Sequence, residues 1–227
     1  MRSYFNALRR LADRYRRAET AIVRAYFAKR RRPRNHIRWL KAQGFKEHAA
    51  IRPLLEILAV YHSRLDDGVD RHDFEEIAEK LAEETKHARL VMDLIEELSG
   101  KRTRPSDLIW LPEDKKLARV RGRYSKTFAA LLHGSRTPSR KEMRRKDEEI
   151  ERAAVTLTEG GGGALYEVCI ALRRGAAEKK IAAAFKAIDA DEKGHKDAGA
   201  RRLAGLLRSR RDYERAAEIV CAVSAQR

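Results

Sequence analysis

Phe74-Glu75-Glu76-Ile77-Ala78-Glu79-Lys80-Leu81-Ala82-Glu83-Glu84-Thr85-Lys86-His87-Ala88-Arg89-Leu90-Val91 is the stretch that decides the reading of this chain. Phe74, Ile77, Leu81, Ala88 and Val91, continued by Ile95, recur at three- to four-residue steps, the period of an amphipathic helix. Two members of that apolar stripe are polar, Glu84 and His87. Their i, i+3 spacing puts a carboxylate and an imidazole one turn apart on the face meant for the core. An uncompensated carboxylate on such a face is costly, and a cation held between helices removes the cost. The pattern returns in Asp191-Glu192-Lys193-Gly194-His195, within the stripe Ile181, Phe185, Ile188, Gly199 and Leu203. As strings, two Glu-x-x-His matches are only mildly surprising. Their weight comes from position: both are mid-helix, both on the apolar face, and each in the second helix of a hairpin. The plainer alternative is a pair of ion pairs with Lys86 and Lys193.

Outward from these two helices, periodicity stays helical. No stretch alternates apolar and polar residues over six positions between turn signals, so the chain reads as all-α. Helices are expected over about 3–28, 36–65, 73–99, 141–174, 178–208 and 211–224. Pro33 closes the first, Pro53 starts or kinks the second, and Gly100 stops the third. Residues 101–140, with Pro105, Pro112, Gly122, Gly134 and Pro138, form a long connection. Hairpin, crossover, hairpin is the topology of a four-helix bundle with one long connection.

The length of 227 residues allows one large domain or two small ones, with a sizeable core. Cys169 and Cys221 are too few for a disulfide framework and fit a reducing compartment. No run of 18 apolar residues suggests a membrane span, and the start lacks the apolar segment of a secretory signal, so a cytoplasmic location is expected. The formal charge of +17 is unevenly placed. Residues 1–46 carry 15 Lys/Arg against Asp13 and Glu19, while 47–227 carry 36 against 32. The division expected is a basic helical arm, 1–46, and a bundle, 47–227. Arginine-rich solvated faces explain such a charge without function; a nucleic acid, an anionic membrane or an acidic protein explains it with function. Arg30, Arg31, Arg32 and Arg34 are the expected polyanion contacts. The arm's apolar side, Tyr4, Leu8, Leu11, Tyr15 and Ile22, has to be covered by the bundle, another chain or lipid.

The strings Glu83-Glu84-Thr85-Lys86-His87 and Asp191-Glu192-Lys193-Gly194-His195, over roughly 47–208, resemble the ferritin-like di-iron carboxylate superfamily. The resemblance implies a ferritin-like four-helix bundle in which the two Glu-x-x-His pairs and one Glu from each other helix surround two metals. Oxygen-rich donors with a few imidazoles suit iron, or manganese, better than a thiolate metal. Symmetry about each turn selects the other two. Glu56 and Glu84 are centred on residue 70, in the first turn, and Glu56 is the one charge in Leu54–Tyr61. Its rival, Glu47, is in phase with Ile51, Leu54 and Leu58 but lies further from the turn. Glu159 and Glu192 are centred on Gly175. Glu167 is the rival there, because Glu159 is out of phase unless Gly160–Gly163 resets the helix through a π-bulge. Those glycines also suggest room for dioxygen or substrate, or a plain helix break. The expected ligands are thus Glu56, Glu84, His87, Glu159, Glu192 and His195. The resemblance places Asp191 behind His87 and Glu83 behind His195, as carboxylates bonded to the ligand imidazoles. Tyr61 and Tyr166 read as core residues that could approach the site. His36, His48, His62, His72 and His133 read as surface or incidental.

The implied activity is that of a non-haem di-iron oxidase or monooxygenase activating dioxygen, with an external electron donor and two iron ions. The basic arm suggests a substrate carried on an anionic macromolecule such as tRNA or acyl carrier protein. Iron storage or peroxide detoxification is the second reading, and a metal-free helical binding protein the third. A homodimer stays open.

Overall fold

The computed structural model describes residues 2–65, 69–124, 145–159 and 162–226. Among them the protein is all-α, with eight helices and no strand. They are α1 (Arg2–Ala28), α2 (Pro33–His62), α3 (Arg71–Ser99), α4 (Pro112–Arg121), α5 (Lys146–Glu159), α6 (Gly162–Ile170), α7 (Gly175–Leu206) and α8 (Arg210–Gln226). Pro33 does not close α1; it opens α2, where its missing N–H is harmless. Pro53 lies inside α2, which continues past it to His62. Asp70 caps α3 by accepting the His72 N–H at 2.9 Å. Gly100 ends α3 as expected, in the left-handed region at φ 66°, donating to the Glu96 carbonyl at 2.8 Å. The crossover contains a 3₁₀ turn (Pro105–Asp107) and α4.

Among the described residues the chain forms two compact units, and neither boundary falls at 46/47. The first contains 2–30, 112–124, 145–159 and 162–226; the second contains 31–65 and 69–111. The basic arm 1–46 is therefore not one body: α2 runs unbroken through position 46, and α1 belongs to the first unit.

In the first unit α1 packs on α6 and α8, and α5 on α7 and α8. Leu8, Ile150, Ala154, Leu203, Leu207 and Ile219 make a closed core. Tyr4 stacks on Tyr213 at 5.7 Å between ring centroids. The arm's apolar side is thus covered by this unit, with one correction: Ile22 is 69% exposed, and Phe27 is the buried residue at that end. The Arg174 guanidinium holds the end of α1 by donating to the Phe27 and Ala28 carbonyls.

The start of α8 is fixed by a reciprocal cap. The Asp212 N–H donates to Ser209 Oγ at 3.1 Å, and Asp212 Oδ2 accepts the Ser209 N–H at 2.9 Å. The same oxygen accepts the Arg208 N–H at 3.0 Å and Lys146 Nζ at 2.6 Å. Burial alone would raise the Asp212 carboxyl, but these donors outweigh it and hold it at about 2. The stabilisation from its charge is therefore complete above about pH 4, the unfolded value, and is lost as pH falls toward 2. Asp212→Asn should cost about 2 kcal/mol at pH 7 and flatten the acid limb of a denaturation profile. An unchanged acid limb would show that the charge contributes nothing.

The second unit is the antiparallel pair α2 and α3, followed by a strap over 100–111. Leu40, Leu54, Ile57, Val91, Leu94 and Ile95 are its buried apolar residues. The strap is tied to α2 by the Ile109 N–H donating to the Lys41 carbonyl at 3.1 Å and by stacking of Trp110 on Phe45 at 5.3 Å. A Cβ on Gly44 would sit 3.1 Å from both Val91 Cγ1 and Leu108 Cδ2. Any side chain there would require these two methyl groups to give way by a few tenths of an ångström, so glycine suits the close approach of α3 and the strap to α2.

Candidate metal centre

One turn beyond Gly44 on α2 is Glu47; one turn before Val91 on α3 is His87, and Glu84 lies a turn before that. Glu47, Glu84 and His87 each bring one ligand atom within 4.8 Å of the others. His87 is 1% exposed, and its Nδ1 is 3.7 Å from Glu47 Oε2, whose side chain is 14% exposed. Atoms bound to one ion at about 2.1 Å lie about 3.0–3.4 Å apart, so these three side chains would have to move inward to hold one ion together. The two carboxylates, Glu47 and Glu84, carry like charge, and a cation between them would offset their mutual repulsion. This donor set suits iron or manganese, the metals expected from the sequence.

Glu84 and His87 are therefore brought together as expected, but their carboxylate partner is Glu47 and not Glu56. Glu56 is engaged by Arg52 of its own helix at 2.8 Å, and that arginine is 88% exposed. The reason is the centre of the hairpin. Helix α2 ends at His62 and α3 begins at Arg71, so the pair is symmetric about residues 66–67, not 70. Glu47 is level with the 84–87 turn about that centre. The phase of Glu47 with Ile51, Leu54 and Leu58 was the signal in the sequence that pointed to it.

Gly44→Leu should push α2 and α3 apart one turn from the ligands. A loss of about 1–3 kcal/mol in stability, accompanied by weaker metal retention, is expected. Equilibrium unfolding and metal content after dialysis check both, and full retention of metal would uncouple the close approach from the site.

The second Glu-x-x-His lies on α7 in the first unit, where Glu192 is half-buried. The side chains of Glu159 and His195 lie outside the described residues, as do Gly160 and Gly161; Gly162 opens α6. Glu167 is placed elsewhere. It pairs with Arg24 at 3.1 Å and Arg16 at 3.8 Å, at the rim of a groove of about 300 Å³ floored by Phe27, Val168 and Leu172. Asp191 and Glu83 are half-buried on α7 and α3. Tyr166 is buried against Phe185, with ring centroids 5.9 Å apart, and Tyr61 is half-buried. His36 is not a surface residue, being 4% exposed on α2; His48 is half-buried, His62 and His72 are exposed, and His133 lies outside the described residues. Arg30, Arg32 and Arg34 are exposed and Arg31 is half-buried. Both cysteines are free, and burial raises the Cys169 thiol well above its usual range, which keeps it unreactive.

Among the described residues no helix is long and apolar enough to cross a membrane. No protein-family model matches the chain, and no curated protein or solved structure matches it either.

Proposed function

We propose that this chain is a metal-dependent oxidoreductase of the ferritin-like di-iron kind, acting on dioxygen or peroxide with an external electron donor. The observation that carries the reading is the convergence of Glu47, Glu84 and buried His87 from two adjacent helices. Glu84 and His87 are the residues singled out by the resemblance, and Glu47 supplies the carboxylate it requires from the neighbouring helix. The resemblance assigns a second ion to Glu192 and His195 on α7, with Glu159 as the carboxylate that would complete that set. One relation supports Glu159: Glu149 pairs with Arg202 at 3.0 Å, and continuing that register ten residues along each helix brings position 159 level with Glu192.

Within this reading Glu47 and Glu84 supply negative charge to a cation, and neutral His87 supplies nitrogen. Burial of His87 keeps water from competing for its ring. Iron held by these residues would relay electrons from the external donor to dioxygen. The deciding experiment is metal content with an optical spectrum, on protein produced in iron- and manganese-supplemented medium and isolated in air. About two ions per chain, and oxygen uptake once the iron form is reduced, are expected. A well-folded protein without metal overturns the proposal.

A further inference from the structure

We propose that the outer face of α1 is a nucleic-acid binding surface that grips the phosphodiester backbone without reading sequence. The inference stands apart from the metal site. Helix α1 contains seven arginines and no lysine. Arg10, Arg14 and Arg17 lie on one stripe at helical spacing, with Arg9 flanking it, and all four are exposed. None of the four makes an ion pair among the described residues. Arg16 and Arg24 are committed to Asp13 and Glu167, and Asp13, the acid nearest the stripe, is thereby occupied.

Three features favour nucleic acid over other anions. From Arg10 to Arg17 is about 10 Å of helix, the reach of about three phosphates along one strand. Guanidinium forks match phosphate oxygens two at a time, and their charge does not titrate. A helix lying on lipid needs bulky apolar side chains beside its cations. Here Leu8 and Phe27 face the core, while the outer face offers Asn6, Ala18, Ala21 and Ala25 with Ile22 as its one large apolar residue. Packing of α1 on α6 and α8 holds the cations on a preformed helix, so no backbone ordering opposes binding and the cost is confined to the arginine side chains.

The test uses the full chain, a fluorescent 20-base-pair RNA duplex of arbitrary sequence, and phosphatidylglycerol vesicles. Binding to RNA should weaken steeply with salt. Arg9→Gln, Arg10→Gln, Arg14→Gln and Arg17→Gln together should reduce the log–log salt slope by about 3–4. The four lysine replacements should keep most of that slope. On the unaltered protein, bound RNA should protect these four arginines from phenylglyoxal, a readout that needs no variant to fold. An unchanged slope in a folded glutamine variant, absence of protection, or tighter binding to vesicles than to RNA overturns the proposal.

Discussion

Glu47→Ala should strip the second unit of its metal, whereas Glu56→Ala should leave it loaded. Each protein ligand of a metal site is worth roughly 3 kcal/mol, so loss of one of three donors weakens binding on the order of 100-fold. After dialysis against a weak chelator, the Glu47 variant should lose about one equivalent, as should Glu84→Ala and His87→Ala. Glu56 pairs with the exposed Arg52, and removing a solvent-facing pair of this kind changes stability by less than about 1 kcal/mol. Metal lost from the Glu56 variant and kept by the Glu47 variant would reverse the assignment. Equal loss from both would point to a general loosening of α2.

Leu8→Ala should destabilise the first unit by about 3–5 kcal/mol, a large fraction of the stability of a domain this size. Leu8 is wholly buried among Ile150, Leu203, Ile219 and Val220, so truncation leaves a cavity. Were α1 a detached arm, the same change would cost under about 0.5 kcal/mol. Ile22→Ala is the internal control, since its side chain is 69% exposed and its removal should be near neutral. Denaturant unfolding followed by far-ultraviolet circular dichroism measures both, and a neutral Leu8→Ala would restore the arm.

Element type was legible in the sequence because apolar spacing of three to four residues persists through almost every segment, and Gly100 ended α3 where a left-handed cap was expected. Glu84 and His87 were legible for the same reason: polar residues interrupting a core stripe need an explanation. Glu47 was harder. Choosing it required the centre of the α2–α3 hairpin, and helix ends are the least certain feature of a sequence reading. A shift of three or four residues in that centre exchanges one carboxylate for another two turns away. The fate of α1 was harder still. Charge density marked 1–46 as separate, but solvated arginines and a buried Leu8 occupy opposite sides of one helix. Net charge describes the outer side and says nothing of how firmly the inner side is held.

The strap of the second unit carries an optical consequence. The protein has two tryptophans, Trp39 and Trp110, and both lie between residues 31 and 111. Indole emission from the whole chain therefore reports on the second unit alone, while the first is visible only through its tyrosines and its helicity. Trp110 stacks on Phe45, two positions from Glu47. A paramagnetic ion arriving at Glu47, Glu84 and His87 should quench this emission, so a fluorimeter can follow loading of that site in real time without a label.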